Sequence, residues 1–503
     1  MPPASSPISS PTSSAVPALP VLSAETKATI KSTAPLLASH GPTITQAFYP
    51  LLFSRYPSVK QLFNKRNQAP EADGSPPRQP QALANAVWAY AANIDNLGAL
   101  SAAISLIAHK HASLHVLPEH YPMVGECLLA AIEQVLGKEV ATEGVLSAWG
   151  QAYGFLAAVF IQTEDGLRAK NARKRHGWVG WREMKVARKV KETVDVTSFY
   201  FTNLDETEPV CSFMPGQYIS LKLTMPNGEV EERDYSLSEF SMSSVAAAGA
   251  ALREGEKEAK GEAGIEEGND MSPPYFRISI KRLPGGAVST YMHDTVKEGD
   301  VLLVGPPYGD FTLPPALPPS NSTPTRRPLV FLSAGIGITP LLCMAEAALL
   351  GCAAACKGGP PSLPPSLPPK VFFIHTARDK DHFPFAARLQ TLVSSFPSRF
   401  ISHVSFTQAL TAAGWEEGGK EGGKDAGCMW GSGRLTAATL HEALGTTARP
   451  QDCTFYFCGP TEYMVGVRRL LAWLGVPAEE VQYECFGPAV TEIEAAGVVP
   501  SCY

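Results

Sequence analysis

The sequence predicts a multidomain fold: an all-helical domain, then an antiparallel β-barrel, then an α/β domain on a parallel sheet. Three observations predict it. The chain has 503 residues, and at roughly 100–200 residues per domain the length gives a prior of about three. From Ser23 to about Ala169 apolar residues recur at three- and four-residue spacing, with no strand alternation. After Arg173 short β-type segments separated by Pro/Gly turns take over, and from Pro328 apolar runs alternate with helical stretches.

In the first region Ser23 and Glu25 mark a helix start. Ala82–Leu97, Leu100–His111, Tyr121–Leu136 and Ala141–Glu164 are the clearest amphipathic segments. The last carries Leu146, Trp149, Tyr153, Leu156, Val159 and Phe160 as one broad stripe. In the second region Val186–Lys191, Thr197–Thr202, Tyr218–Leu223, Phe276–Lys281 and Val301–Val304 read as strands of a small barrel. In the third, Leu329–Leu332, Val371–His375 and Phe455–Cys458 read as parallel strands. The expected bounds are a disordered tail at 1–21, a helical domain at 22–170, a barrel at 171–315 with an insert at 246–274, and an α/β domain at 328–503.

Composition narrows the function classes. Charged residues at 18% fall below the usual ~25%, and 42 Gly with 44 Pro exceed average usage. The surplus has addresses: Ala246–Pro274, Pro314–Arg327, Lys357–Pro369 and Glu416–Gly427 all have the composition of solvated loops. A net charge of −6 and a pI near 6.0 argue against nucleic acid or acidic membranes as partners. The longest apolar run, Leu341–Cys356, is broken by Glu346 and is shorter than the ~18–20 residues a spanning helix needs. The ten cysteines include no C-x-x-C pair, and Cys352 with Cys356 lacks partners at zinc-ligand spacing. Disulfides stay formally open, but a reduced, cytoplasmic monomer is the simpler expectation. The first twenty residues contain no Lys or Arg, unlike a secretory signal or transit peptide.

Four local motifs carry chemistry. Gly335, Ile336, Gly337, Ile338, Thr339 and Pro340 follow an apolar run and open a helical stretch, so backbone amides there can approach a pyrophosphate. Cys458, Gly459 and Pro460 repeat that logic at a later strand end. Arg233, Asp234, Tyr235 and Ser236 place a guanidinium, a flat ring and a hydroxyl on one extended strand, behind Tyr218 on an earlier one. Gly286, Val288 and Ser289 form a Gly-rich entry to a helix. Each alone is an ordinary turn or polar strand. In this order, they resemble the ferredoxin–NADP reductase family over roughly Gly180 to Pro488. The resemblance implies FAD on the barrel and NAD(P)H on the α/β domain. A terminal Glu484-Cys485-Phe486-Gly487-Pro488 completes it, with Phe486 similar to the aromatic that covers the flavin.

The helical domain holds a histidine cluster, His109, His111 and His115. Ile107 and Leu114 lie at i−4 and i+3 from His111, so it points from the apolar face, and His109, nearly opposite, is expected to face solvent. His115 is a competitor one turn on. Beside Phe48-Tyr49, Phe63-Asn64 and His120-Tyr121, this cluster resembles the flavohaemoglobin family, a globin fused to such a reductase, from about Leu22 to Pro488.

That resemblance implies haem b, with His111 as iron ligand, Tyr121 and Glu164 hydrogen-bonding it, Phe63 wedging the haem and Tyr49 as distal phenol. Leu83 forms the distal wall, and Lys110 and Glu484 lie near the haem–flavin junction. A distal glutamine is displaced by an insert, Glu71–Pro77. Counting back from Ala82-Leu83 assigns Gln79, with Gln81 as the alternative. The implied activity is nitric oxide dioxygenation: NAD(P)H reduces FAD, FAD reduces haem iron, and O₂ with NO gives nitrate. Thr376-Ala377-Arg378-Asp379-Lys380 holds no dense basic cluster for a 2′-phosphate, which leans the reductant toward NADH. The rival readings are a haem-flavin reductase of ferric iron, quinone or peroxide, and an O₂- or NO-sensing globin.

Overall fold

The computed structural model describes residues 19–69, 77–240, 273–313, 327–358, 369–408 and 428–487. Most of the tail, of the distal insert and of the four loop expansions lies outside the described residues, as does Pro488.

Helix α1 (Ala24–Arg55) starts where the sequence places it, because the Ser23 hydroxyl accepts from Thr26 N–H at 3.0 Å. A 3-10 turn (Pro57–Leu62), α2 (Lys65–Gln68), α3 (Arg78–Ala92), α4 (Ser101–Ser113), α5 (His120–Leu136) and α6 (Glu143–Arg173) follow. Their shared core contains Phe48, Tyr49, Leu52, Tyr90, Leu128, Ile132 and Trp149. Helix α3 ends at Ala92 rather than Leu97, since Asn93 returns both its backbone and side-chain N–H to the Ala89 carbonyl. Helix α6 runs past Glu164 to Arg173, where Asn171 donates to the Pro307 carbonyl of the next domain at 2.9 Å. Tertiary contact, not amphipathicity, holds that last stretch in helix. By length and composition α6 could cross a membrane; here it packs on α1, α4 and α5 and buries Trp149, Phe160 and Glu164.

The second domain is a six-stranded antiparallel sheet in the order β4-β3-β6-β1-β2-β5. Its strands are β1 (Arg182–Lys191), β2 (Val196–Thr202), β3 (Tyr218–Thr224), β4 (Val230–Ser236), β5 (Phe276–Lys281) and β6 (Val301–Val304). A Leu237–Ile278 bridge joins the two ends into a barrel around Phe199, Phe201, Leu221, Phe276 and Ile278. Helix α7 (Ala287–Asp294) follows β5, and Lys189 caps its far end by donating to the Met292, His293 and Val296 carbonyls.

The third domain is a parallel sheet in the order β10-β9-β8-β7-β11-β12. The strands are β7 (Leu329–Ala334), β8 (Val371–Ala377), β9 (Phe400–Phe406), β10 (Cys428–Ser432), β11 (Thr454–Cys458) and β12 (Val481–Glu484). Helices α8 (Ile338–Gly358), α9 (Ala386–Ser395), α10 (Ala437–Leu444) and α11 (Thr461–Trp473) connect them. The order steps outward from β7 to β10 and then reverses to β11. The crevice between the β7 and β11 ends is therefore the switch point where open α/β sheets bind ligands.

A buried charge network ties this domain to the barrel. Arg277 on β5 pairs with Glu192 at 2.7 Å and with Glu239, while Arg388 on α9 pairs with Glu346 on α8 and donates to the Ser238 carbonyl at 2.8 Å. Glu346 also accepts from Phe240 N–H at 2.9 Å. Both guanidinium groups lie over the Phe385 ring, 5.0 and 5.2 Å from its centroid.

Candidate functional site

Helix α4 brings the candidate residues together. His111 points into the helical domain, its Nδ1 2.9 Å from Glu164 Oε1 and 3.0 Å from the Tyr121 hydroxyl, which itself donates to Glu164. Glu164 is fully buried and its second oxygen faces Arg168 at 3.4 Å. A buried carboxylate needs such partners. Burial, then the Glu164 charge, pushes the Tyr121 phenol well above its ordinary range, so it stays a donor. With Nδ1 engaged, Nε2 is the ring nitrogen left to bind a metal, on a side chain still one-third exposed. A ligating imidazole ordinarily holds a carboxylate or carbonyl at its other nitrogen in this way. The residues present fit a haem iron.

The neighbouring histidines go elsewhere. His115 stacks on Trp181, centroids 4.6 Å apart, against the barrel. His109 does not face solvent as its wheel position predicts. Gly309 N–H donates to its Nδ1 at 2.9 Å and Tyr308 lies edge-on to its ring. The barrel covers the helix face that the helical domain leaves open, and the burial lowers the His109 pKa.

Tyr49 is buried on α1, edge-on to Phe63 at 5.7 Å. Burial raises its phenol well above the ordinary range, and a hydrogen bond from Gln68 only partly offsets this. Gln68 Nε2 also donates to Gln79 Oε1 at 2.9 Å, making a Tyr49–Gln68–Gln79 string. Gln81 instead donates to Asn85 along its own helix at 3.0 Å. Pro80 sits in the first turn of α3, and Leu83 packs against the helical core. Nothing in its own segment of sequence marks Gln68 for this role.

Three domains meet beyond His111. Lys110 Nζ donates to the Gly487 carbonyl at 2.6 Å, and the Ser113 hydroxyl to Asp234 at 3.4 Å. Ser220 donates to the other Asp234 oxygen at 2.7 Å. Desolvation raises the Asp234 carboxyl. Glu484 is buried beside Lys110, Asp234 and Asp310, and burial pushes it up to about 8. Tyr218 is buried against Tyr308 in the same junction.

The barrel elements fit a flavin dinucleotide. Gly286 starts α7 with no side chain capping it, so the first amides remain available to a phosphate. The Ser289 hydroxyl instead closes the turn, donating to the Gly286 carbonyl, and Val288 is buried behind it. Arg233 and Tyr235 lie on β4, Ser236 is buried at its end, and Phe486 is about half exposed. Cys485 is half-buried and Gly487 takes a φ of +128°, which favours glycine.

The crevice fits a second nucleotide. A Cβ on Gly337 would lie 2.3 Å from the Cys458 carbonyl oxygen, and one on Gly459 would meet Tyr463 at 2.8 Å. The two turns thus touch backbone to backbone, and only glycine permits it. Ile338 and Thr339 are buried, Thr339 donates to the Ile336 carbonyl, and Pro340 follows in the first turn of α8. His375 Nε2, Thr376 Oγ1 and the Tyr463 hydroxyl are buried without a partner around these strand ends. Unpaired buried polar atoms in a crevice mark a place for a polar ligand. Asp379, after β8, accepts from the His382 backbone N–H at 3.1 Å and lies 2.6 Å from its Nδ1.

A globin family model matches residues 46–160. The chain is 39% identical over 471 residues to a flavohemoprotein of Pseudomonas putida, covering 93% of this chain and 99% of that one. It is 34% identical to flavohemoprotein A of Dictyostelium discoideum, covering 93% and 98%. Among solved structures it resembles a flavohemoglobin from Malassezia yamatoensis with bound FAD and heme (TM-score 0.68, 24% identity, 93% and 100% covered). A helical globin, an antiparallel flavin barrel and a parallel nucleotide domain in one chain, related over nearly its full length, place this protein in the flavohemoprotein family.

Proposed function

We propose that this protein is a nitric oxide dioxygenase that uses NAD(P)H and O₂ to convert NO to nitrate. The observation that carries the reading is helix α4. Within four residues it offers His111, backed by Glu164 and Tyr121, while Lys110 and Ser113 touch two of the flavin-binding segments. When bound, the haem iron supplies the site where O₂ and NO combine, and FAD converts a two-electron reductant into single electrons.

The protein's own groups set the conditions. Glu164 and Tyr121 fix the His111 ring and make it a stronger electron donor to a bound metal, which favours O–O activation. Tyr49, kept protonated by burial, donates a hydrogen bond to a ligand in the distal pocket, and Gln68 and Gln79 orient that phenol. Phe63 and Leu83 keep the distal side apolar. The Gly335–Pro340 and Cys458–Pro460 turns hold the dinucleotide, Arg233 and the start of α7 hold flavin phosphates, and Phe486 covers the flavin where nicotinamide enters. Lys110 balances the buried acids at the junction. The division at 22–170, 171–315 and 328–503 belongs to the same proposal.

Comparing NO consumption with ferric-iron reduction in the purified protein tests this. NADH-dependent NO consumption should vanish in His111→Ala, while ferric reduction through the flavin persists. A wild-type protein that reduces ferric iron normally but consumes NO no faster than free flavin contradicts the reading and favours the reductase. A protein that binds O₂ or NO without turnover favours the sensor.

A further inference from the structure

We propose that Asn64, in the globin, is a positioning residue for the flavin site, holding the Arg233 guanidinium ready for a flavin phosphate. The inference rests on the reading of Arg233 as a flavin-phosphate ligand and extends it across the domain boundary.

Arg233 lies on β4, the end strand of the sheet, where it pairs with β3 alone, four residues before the Leu237–Ile278 bridge closes the barrel. An edge side chain has cross-strand neighbours on one side only, so a long guanidinium there is free to swing unless something else holds it. Here three acceptors hold it. Nη1 donates to the Glu232 carbonyl at 2.6 Å, and Nη2 lies 2.9 Å from Glu231 Oε2 and 3.2 Å from Asn64 Oδ1. Glu231 and Glu232 belong to the same strand, whereas Asn64 comes from 169 residues earlier in the chain.

Asn64 is itself rigidly carried. It follows Phe63, which packs on Tyr49 and Phe53 in the distal corner. Its carbonyl accepts from Asn67 N–H at 3.0 Å. The 3-10 turn before it packs on β4, and Lys65 pairs with Glu229 at the turn leading into that strand. The corner that shapes the distal pocket and the strand that binds flavin therefore form one unit. Asn64 is neutral, so it orients Arg233 without cancelling the charge a phosphate requires. Preorganising the side chain removes ordering entropy from flavin binding. Flavin retention thus depends on a globin residue.

The test is FAD affinity of the haem-loaded full chain after flavin removal, read by quenching of flavin fluorescence. Asn64→Ala should weaken FAD about tenfold, the scale of a hydrogen bond to a charged group, with haem content and Soret band unchanged. Arg233→Ala should weaken it at least as much, and the double variant should bind no more weakly than Arg233→Ala alone. Lys65→Ala, which removes only an exposed ion pair, should stay within about twofold of wild type. If Arg233→Ala binds FAD normally, the flavin assignment of Arg233 fails, whatever becomes of NO consumption. If Arg233→Ala weakens FAD but Asn64→Ala does not, or if the two losses add, or if Lys65→Ala weakens FAD equally, the positioning role is overturned.

Discussion

Glu164 Oε1 lies 2.9 Å from Nδ1 of His111, on a carboxylate with no exposed surface. The pair joins α6 to α4 and determines which imidazole nitrogen is left over. Arg168 and Tyr121 satisfy the rest of the carboxylate, so the charge is sustained inside the fold.

His111 on α4 and His115 just beyond its end should separate cleanly. His111→Ala is expected to lose haem and keep flavin, whereas His115→Ala, which removes a stack on Trp181, keeps both. Absorbance of the purified variants at the Soret and flavin bands checks this. An unchanged haem spectrum in His111→Ala would remove it as ligand.

Tyr49→Phe deletes the distal hydroxyl and keeps the ring packing against Phe63. The O₂ off-rate should rise by roughly ten- to a hundredfold, the scale of a hydrogen bond to a charge-bearing acceptor. Stopped-flow O₂ release measures it, and an unaltered off-rate argues against a distal phenol.

The junction should weaken with rising pH. Burial pushes Glu484 up to about 8 from an ordinary 4.5, so the folded state holds the proton that the unfolded chain has already released. The unfolded chain binds fewer protons over that interval, and stability therefore falls as pH rises from about 4.5 to about 8. Melting temperature against pH reads this slope. In Glu484→Gln the slope should flatten, and an identical profile in both proteins would show that Glu484 ionises without penalty.

The Arg388–Glu346 pair offers a stability cycle. Arg388→Met leaves two carboxylates, Glu346 and Glu239, with less compensation in a buried site, and should cost about 3–5 kcal/mol. Adding Glu346→Met should recover part of that loss. Denaturant unfolding of the two single variants and the double variant gives the coupling, and strictly additive losses would deny the interaction.

What was legible in the sequence was whatever a residue's own segment records. His111 shows itself through Ile107 and Leu114, and the paired glycine turns through their spacing. Residues defined by contacts across the chain leave no such mark. Arg168, Gln68 and the Arg277–Arg388 network are of that kind, and the helical wheel puts His109 in solvent because its partner Gly309 lies 200 residues away. Strand β9 escaped for another reason. Ser402, His403 and Ser405 are buried in it, so the continuous apolar run of a parallel strand is interrupted. Strand β12 has four residues, and Gln482 and Glu484 break the apolar run that makes the equally short β6 legible. Pro488 lies outside the described residues.

The most direct test of the account is stoichiometry. Combining NO with O₂ to nitrate takes up one electron, and NADH delivers two. In air, the purified holoprotein should therefore oxidise one NADH for every two NO removed, with nitrate accounting for the NO. NADH oxidation that is indifferent to NO, or NO that disappears into products other than nitrate, would contradict it.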